Sequence, residues 1–290
     1  GHYGGVLAEV TYQGRTLLTT QPTDIAIEEG YRGRWLLGRL LTYYVTRAPA
    51  KGLAFGFGFP NRAHYGPGKR LGYKDVGSVW LMCRHVNPGL LLAKLTRQSA
   101  FLRLLRGPAN WVAQRLRRAA SLPEGLTITP VTRFDERYDA LWQQTADRYP
   151  IAVARTSRYL NWRYGSRPKA DYTVLAAERA GTLMGYTVLA LQRRTVAQGQ
   201  VADLWALDET TSQALLARAV EHFLQIGVDR VSAWALEDSQ AARTLTRAGL
   251  RPHRVAAPLV CKVLTEGLVE EATLCDPRHW YITMGDGDGV

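Results

Sequence analysis

The chain has 290 residues and a mass of 32.3 kDa, with 46% hydrophobic and 21% charged residues, which excludes a disordered or collagen-like polymer and suggests about two domains. Lys and Arg number 37 against 25 acids, a formal net charge of +12. That balance favours nucleic acid, acidic lipid or a phosphate-bearing cofactor without choosing among them, and no apolar run reaches the roughly 18 residues of a membrane-spanning helix.

In chain order, Gly1-His2-Tyr3 opens a first strand, and Thr23 to Glu29 reads as a second, apolar and ending in acids. After Tyr31-Arg32-Gly33-Arg34, the residues Leu36, Leu37, Leu40, Leu41, Tyr44 and Val45 form one apolar stripe at helical period. Leu53 to Phe59 reads as a buried strand. Asn61-Arg62-Ala63 is a polar turn, and a short basic helix ends at Leu71-Gly72-Tyr73, where the glycine is the expected stop.

Residues 89–123 read as a basic amphipathic helical linker. Between Leu91 and Ala120 stand seven Lys and Arg and no acid, interleaved with leucines and broken at Gly107-Pro108. Such a segment can make peripheral contact with an acidic membrane through 91–120; its other reading is a connector packed on the body with a solvated basic face.

Leu126 to Val131 reads as a strand, Asp135 to Tyr149 and Ser157 to Tyr164 as helices. Tyr172 to Ala177 and Thr182 to Leu191 form a hairpin around Arg179-Ala180-Gly181. Ala202 to Asp208 is a strand. Leu215, Leu216, Ala219, Val220, Phe223 and Leu224 repeat the helical stripe, Val231 to Leu236 is a strand, and a helix after Asp238-Ser239-Gln240 ends at Ala248-Gly249-Leu250. The second series copies the first: Asp24 to Asp203 and Leu36 to Leu215 share one offset, 179. The strand-helix-strand order by itself is common to many α/β chains, but the matched stripes and turns favour duplication. The first copy, 1–88, is expected to begin inside its fold at a third strand, and the second, 124–290, to be complete.

Cys83, Cys261 and Cys275 are odd in number and far apart, which fits a reducing, cytoplasmic compartment. The six histidines are scattered without metal-ligand spacing, so no metal is expected.

The order strand, acidic turn, Tyr31-Arg32-Gly33-Arg34, amphipathic helix, strand, Asn61, helix, Leu71-Gly72-Tyr73 resembles the GNAT N-acyltransferases. Gly58-Phe59-Pro60-Asn61 and Trp162-Arg163-Tyr164 are similar to bacterial tandem-GNAT proteins. The resemblance implies an α/β (α+β sandwich) class: tandem GNAT-like folds with mixed, mostly antiparallel sheets and helices on both faces. It implies an acyl-CoA-dependent N-acyltransferase that takes acetyl-CoA as cosubstrate and an amine of a sugar, peptide or small molecule as acceptor, with no specific nucleic-acid partner.

A helix N-terminus binds a pyrophosphate through unpaired N–H groups, glycine lets the backbone approach, and arginine adds charge. By resemblance, Arg32, Gly33, Arg34, Leu37 and Asn61 hold the cofactor, and the strand backbone at Ile25, Ala26 and Ile27 pairs with its pantetheine arm. Asp24 is then a candidate base and Tyr65 a candidate acid. Tyr65 stands off the family's usual tyrosine position, which Gly68 fills, and Asp24 has a structural alternative because Asp203 repeats it.

Trp35 stands where the family has glycine, so its indole either blocks the phosphates or turns outward. Glu209 in the second copy would repel a phosphate. The alternatives are a noncatalytic tandem-GNAT scaffold, with the turn spoiled at Trp35, and a FemAB-type cell-wall aminoacyltransferase.

Overall fold

The computed structural model describes residues 1–86, 122–166, 172–193 and 197–287. The basic segment read at 91–120 lies outside the described residues.

Two long strands open the chain: β1, His2–Tyr12, and β2, Arg15–Ala26. They form a hairpin about Gln13 and Gly14, both at positive φ as a two-residue β-turn demands. Helix α1, Leu36–Arg47, is followed by β3, Phe55–Gly58, α2, Arg62–Arg70, and β4, Lys74–His85. The second half begins with β5, Leu126–Val131, α3, Glu136–Thr145, β6, Ile151–Val153, and α4, Ser157–Leu160. The hairpin of β7, Tyr172–Arg179, and β8, Thr182–Arg193, comes next, then β9, Ala197–Ala206, and α5, Glu209–Ile226. Strand β10, Arg230–Leu236, α6, Gln240–Arg247, β11, Arg251–Val263, α7, Glu271–Leu274, and β12, Trp280–Tyr281, complete it.

All twelve described strands lie in one mixed sheet, in the order β12-β6-β1-β2-β3-β11-β4-β10-β9-β8-β7-β5. Only β2 with β3, β9 with β10, and β6 with β12 run parallel. The order β2-α1-β3-α2-β4 recurs as β9-α5-β10-α6-β11, and α2 and α6 both stop at a positive-φ glycine, Gly72 at +85° and Gly249 at +86°.

The centre of the sheet is an exchange. β11, from the second half, lies between β3 and β4, antiparallel to both. β4, from the first half, lies between β11 and β10. Each half therefore satisfies its central strand with one from the other, and the ladder runs unbroken across the middle. At the far edge of β1, the short β6 and β12 continue the sheet.

Two large apolar clusters pack against it. One holds Tyr138, Leu141, Tyr186, Trp205, Leu215 and Phe223. The other holds Val10, Phe55, Phe57, Ile151, Leu259 and Trp280. Among the described residues, no helix is long and apolar enough to cross a membrane.

Candidate active site

The site arises where β2 leaves β3. These parallel strands share one ladder pair, Thr20 with Gly56. Their counterparts β9 and β10 share four, Gln198 to Val201 with Arg230 to Ala233. Beyond Thr20, β2 stays paired to β1 as far as Ala26 and opens on the side of β3. A cavity of about 310 Å³ lies in the opening. Thr23, Asp24 and Ile25 of β2 line one wall, and Gly58, Phe59, Pro60 and Asn61 another. Leu37 and Leu41 of α1 and His64, Tyr65 and Lys69 of α2 close it. Tyr3 and Tyr73 lie at its inner end, where burial pushes both hydroxyls far above the ordinary phenol range.

Asp24 is exposed on this wall, with φ +49°, a conformation that Asp tolerates better than most side chains. Its counterpart by the 179-residue offset is placed quite differently. Asp203 is buried, accepts a hydrogen bond from the Tyr186 hydroxyl at 3.2 Å and stands 3.6 Å from the Arg155 guanidinium. The structural role of Asp203 therefore does not carry over to Asp24.

Between β2 and α1 the chain makes a short 3-10 turn, Glu29–Tyr31, and Arg32 Nε donates to the Ile27 carbonyl at 3.2 Å. Gly33 takes φ +78° and Trp35 φ +56°. Trp35 sits at the N-cap of α1 and gives no side-chain cap. The first intrahelical bond is from Arg39 N to Trp35 O, so the amides of Leu36, Leu37 and Gly38 precede the helical ladder, as donors for an anion do. The indole is turned outward, 47% exposed, against Gly38, with the Arg70 guanidinium 5.7 Å from the ring centroid.

Asn61 caps α2: its Oδ1 accepts from the amides of Ala63 and His64, at 3.0 and 3.2 Å. The Tyr65 hydroxyl donates to Asp75 Oδ1 at 2.9 Å, and Lys69 Nζ to Asp75 Oδ2 at 2.8 Å. Partial burial works to raise the Asp75 carboxyl, but these two hydrogen bonds outweigh it and hold it below its ordinary value. The bond to Asp75 in turn raises the Tyr65 hydroxyl and the Lys69 ammonium, so both keep their protons.

The sequence-predicted residues divide. Asp24, Ile25, Leu37, Asn61 and Tyr65 meet around one cavity. Arg32, Gly33 and Arg34 lie in the loop that leads into α1, and Ala26 and Ile27 lie at and beyond the end of β2, off the cavity wall. Sequence reading missed Lys69 and Asp75, which no spacing links to Tyr65, and the inner pair Tyr3 and Tyr73.

The corresponding cleft of the second half is filled. Only about 30 Å³ remains among Tyr149, Trp205 and Tyr281, whose ring centroids lie 4.5 to 5.6 Å apart. Helix α5 is already capped by a carboxylate, Asp208 Oδ1 accepting from Thr211 N at 2.6 Å. An anion at that end would meet the protein's own negative charge.

No protein-family model matches the chain, and no curated protein matches it in sequence. Solved structures do match. A GCN5-related N-acetyltransferase from Anabaena variabilis superposes with a TM-score of 0.63 at 11% identity, over 91% of this chain and 59% of that one. A probable N-acyltransferase from Enterococcus faecalis gives 0.62 at 12% identity, over 90% and 58%. Saccharomyces cerevisiae N-myristoyltransferase with bound myristoyl-CoA gives 0.62 at 11% identity, over 97% and 72%. The chain thus spans under three-fifths of the length of the first two. At this identity the likeness establishes the fold: a mixed α/β architecture of the GCN5-related N-acetyltransferase kind.

Proposed function

We propose that the chain is an acyl-CoA-dependent N-acyltransferase working in the cavity between β2 and β3, with acetyl-CoA as donor and an amine as acceptor. The observation that carries the reading is the parting of these strands beside an uncapped helix. The free edge at Thr23–Ile25 offers backbone groups to an extended amide-bearing arm, as a sheet edge receives an added strand. The amides at the start of α1, with Arg32 and Arg34, suit the pyrophosphate at the other end of that arm. The filled second cleft supports assigning the donor to the first half, and the second half then serves as a partner that completes the sheet. Trp35 lies outside the lining of the cavity, which favours an enzyme over the scaffold reading.

In this reading the acceptor amine attacks the thioester carbonyl carbon. Asp24, through a water, takes the proton the nitrogen sheds, and the C–S bond breaks as the carbonyl re-forms. The departing thiolate takes a proton from Tyr65, whose hydroxyl exchanges its hydrogen bond to Asp75 for one to sulfur. Lys69 keeps Asp75 ionised meanwhile. A reducing, cytoplasmic location fits the three free thiols.

The test is a thermal-shift titration with acetyl-CoA, backed by isothermal calorimetry. A ligand that binds only the native state raises the apparent melting temperature with concentration. Saturable stabilisation by acetyl-CoA, and by CoA, is the expected result. No shift at millimolar ligand removes the acyl-CoA reading.

A further inference from the structure

Helix α1 presents a second surface, away from the cavity. Trp35, Arg39, Tyr43 and Arg47 follow one another at four-residue steps and so form one ridge. All four are exposed, Trp35 by 47% and Tyr43 by 60%, while Leu41 is buried. Three exposed aromatics here, Tyr31, Trp35 and Tyr43, each carry an arginine. Arg47 lies 4.8 Å from the Tyr43 ring centroid, Arg70 5.7 Å from that of Trp35, and Arg34 5.5 Å from that of Tyr31, itself 55% exposed. Between Glu29 and Asp75 the sequence holds nine Lys and Arg and no acid.

Phosphates at the start of α1 account for Arg32 and Arg34 but not for the rest of the ridge. At about 1.5 Å per residue, Arg47 stands some 18 Å along the axis from Trp35. Uncompensated cations crowded with exposed rings repel one another and leave apolar area wet, so the ridge suits a partner that supplies negative charge and a partly apolar layer. A bilayer interface supplies both: Trp and Tyr rings sit at headgroup depth, and guanidiniums reach lipid phosphates. A single-stranded nucleic acid would instead need a groove with open ring faces, whereas the rings of Tyr31, Trp35 and Tyr43 each have a guanidinium over them. We propose that the outer face of α1 docks the protein on an anionic phospholipid bilayer. The docking surface rests on no part of the acyl-transfer reading.

The experiment is co-sedimentation of the full chain with vesicles of phosphatidylcholine, alone or mixed with phosphatidylglycerol, at low and high salt. The intact chain should partition onto the anionic vesicles only, and less at high salt. Arg39→Glu with Arg47→Glu should lower the partition coefficient at least about tenfold. Tyr43→Ser should lower it by a smaller factor at either salt. Melting temperatures near that of the parent chain show that the variants fold, and Arg39→Gln with Arg47→Gln replaces the reversal if it does not fold. Equal binding to neutral vesicles, or unchanged binding by the double variant, overturns the proposal. So does displacement from anionic vesicles by duplex DNA at lower phosphate concentration, which would make the surface a nucleic-acid site.

Discussion

The indole of Trp35 lies against Gly38 so closely that a Cβ at position 38 would collide with it. Trp35 holds this place at φ +56°, a left-handed conformation that costs a residue with a β-carbon about 1–2 kcal/mol. Trp35→Gly removes that strain and the small cover on Gly38 together. Stability should therefore change by no more than about 1 kcal/mol, and acetyl-CoA should bind more tightly once the first-turn amides are fully clear. Denaturant melts and calorimetry on the one variant check both. A loss of roughly 3–5 kcal/mol, the cost of truncating a core aromatic, with unchanged affinity would mean that the ring is a packing element only.

The two helix starts should respond oppositely to charge. Arg32→Glu with Arg34→Glu turns two phosphate partners into repulsive groups, and acetyl-CoA binding should fall below detection. Glu209→Gln should leave binding unchanged, because its carboxylate is engaged with Thr244 at 2.6 Å, Gln213 at 2.9 Å and Arg247 at 3.1 Å. It should cost about 1 kcal/mol of stability at neutral pH. Burial acts to raise the Glu209 carboxyl, but the three partners outweigh it and hold it below its ordinary value of 4.5. A depressed carboxyl stabilises above its unfolded pKa, and that gain fades as pH falls through the folded one. The deficit of the variant should accordingly shrink on acidification below 4.5, which melts across pH would record.

Arg155 should be the least replaceable cation among the described residues. Its guanidinium is 1% exposed and bonds both oxygens of Asp286, at 2.9 and 2.8 Å, and the Val153 carbonyl, at 2.7 Å, with Asp203 beside it. Arg155→Met leaves two buried carboxylates without their cation and should cost about 3–5 kcal/mol. Arg155→Lys should recover only part, since an ammonium lacks the planar fork. A neutral outcome for Arg155→Met in chemical denaturation would show that the carboxylates find other partners.

These examples mark how far the sequence could be read. Helix α1 and its glycine-arginine approach were legible because helical period and turn chemistry are local. So was the meeting of Asp24, Ile25, Leu37, Asn61 and Tyr65, through the order of elements that the fold resemblance supplied. The hairpin at Gln13-Gly14 rests on turn chemistry that is equally local. The exchange of β4 and β11 had no such signal, because a strand's own residues specify an apolar face but not which neighbour completes its ladder. The Asp75 cluster was hidden likewise: Lys69 and Asp75 flank the end of α2, and only the turn at Gly72 folds the carboxylate back onto Tyr65.

The thiols should react in a fixed order. Cys275 is partly exposed, while Cys83 and Cys261 are buried, and burial pushes both of their thiols up. A disulfide reagent such as dithiobis(nitrobenzoate) should therefore attack Cys275 first, releasing one equivalent of thionitrobenzoate. The Cys261 sulfur lies 3.9 Å from that of Cys275. Once ionised, it can attack the mixed disulfide on Cys275, expel the second thionitrobenzoate and close a Cys261–Cys275 bond. Two equivalents should thus be released from the native chain, the second more slowly because the buried thiol ionises reluctantly. Cys261→Ser should stop the release at one, and Cys275→Ser should abolish the fast phase. Absorbance at the thionitrobenzoate band with mass analysis decides it. A native chain that stops at one equivalent would mean that the two sulfurs do not come within bonding reach, and fast release persisting in Cys275→Ser would mean that a buried thiol is accessible.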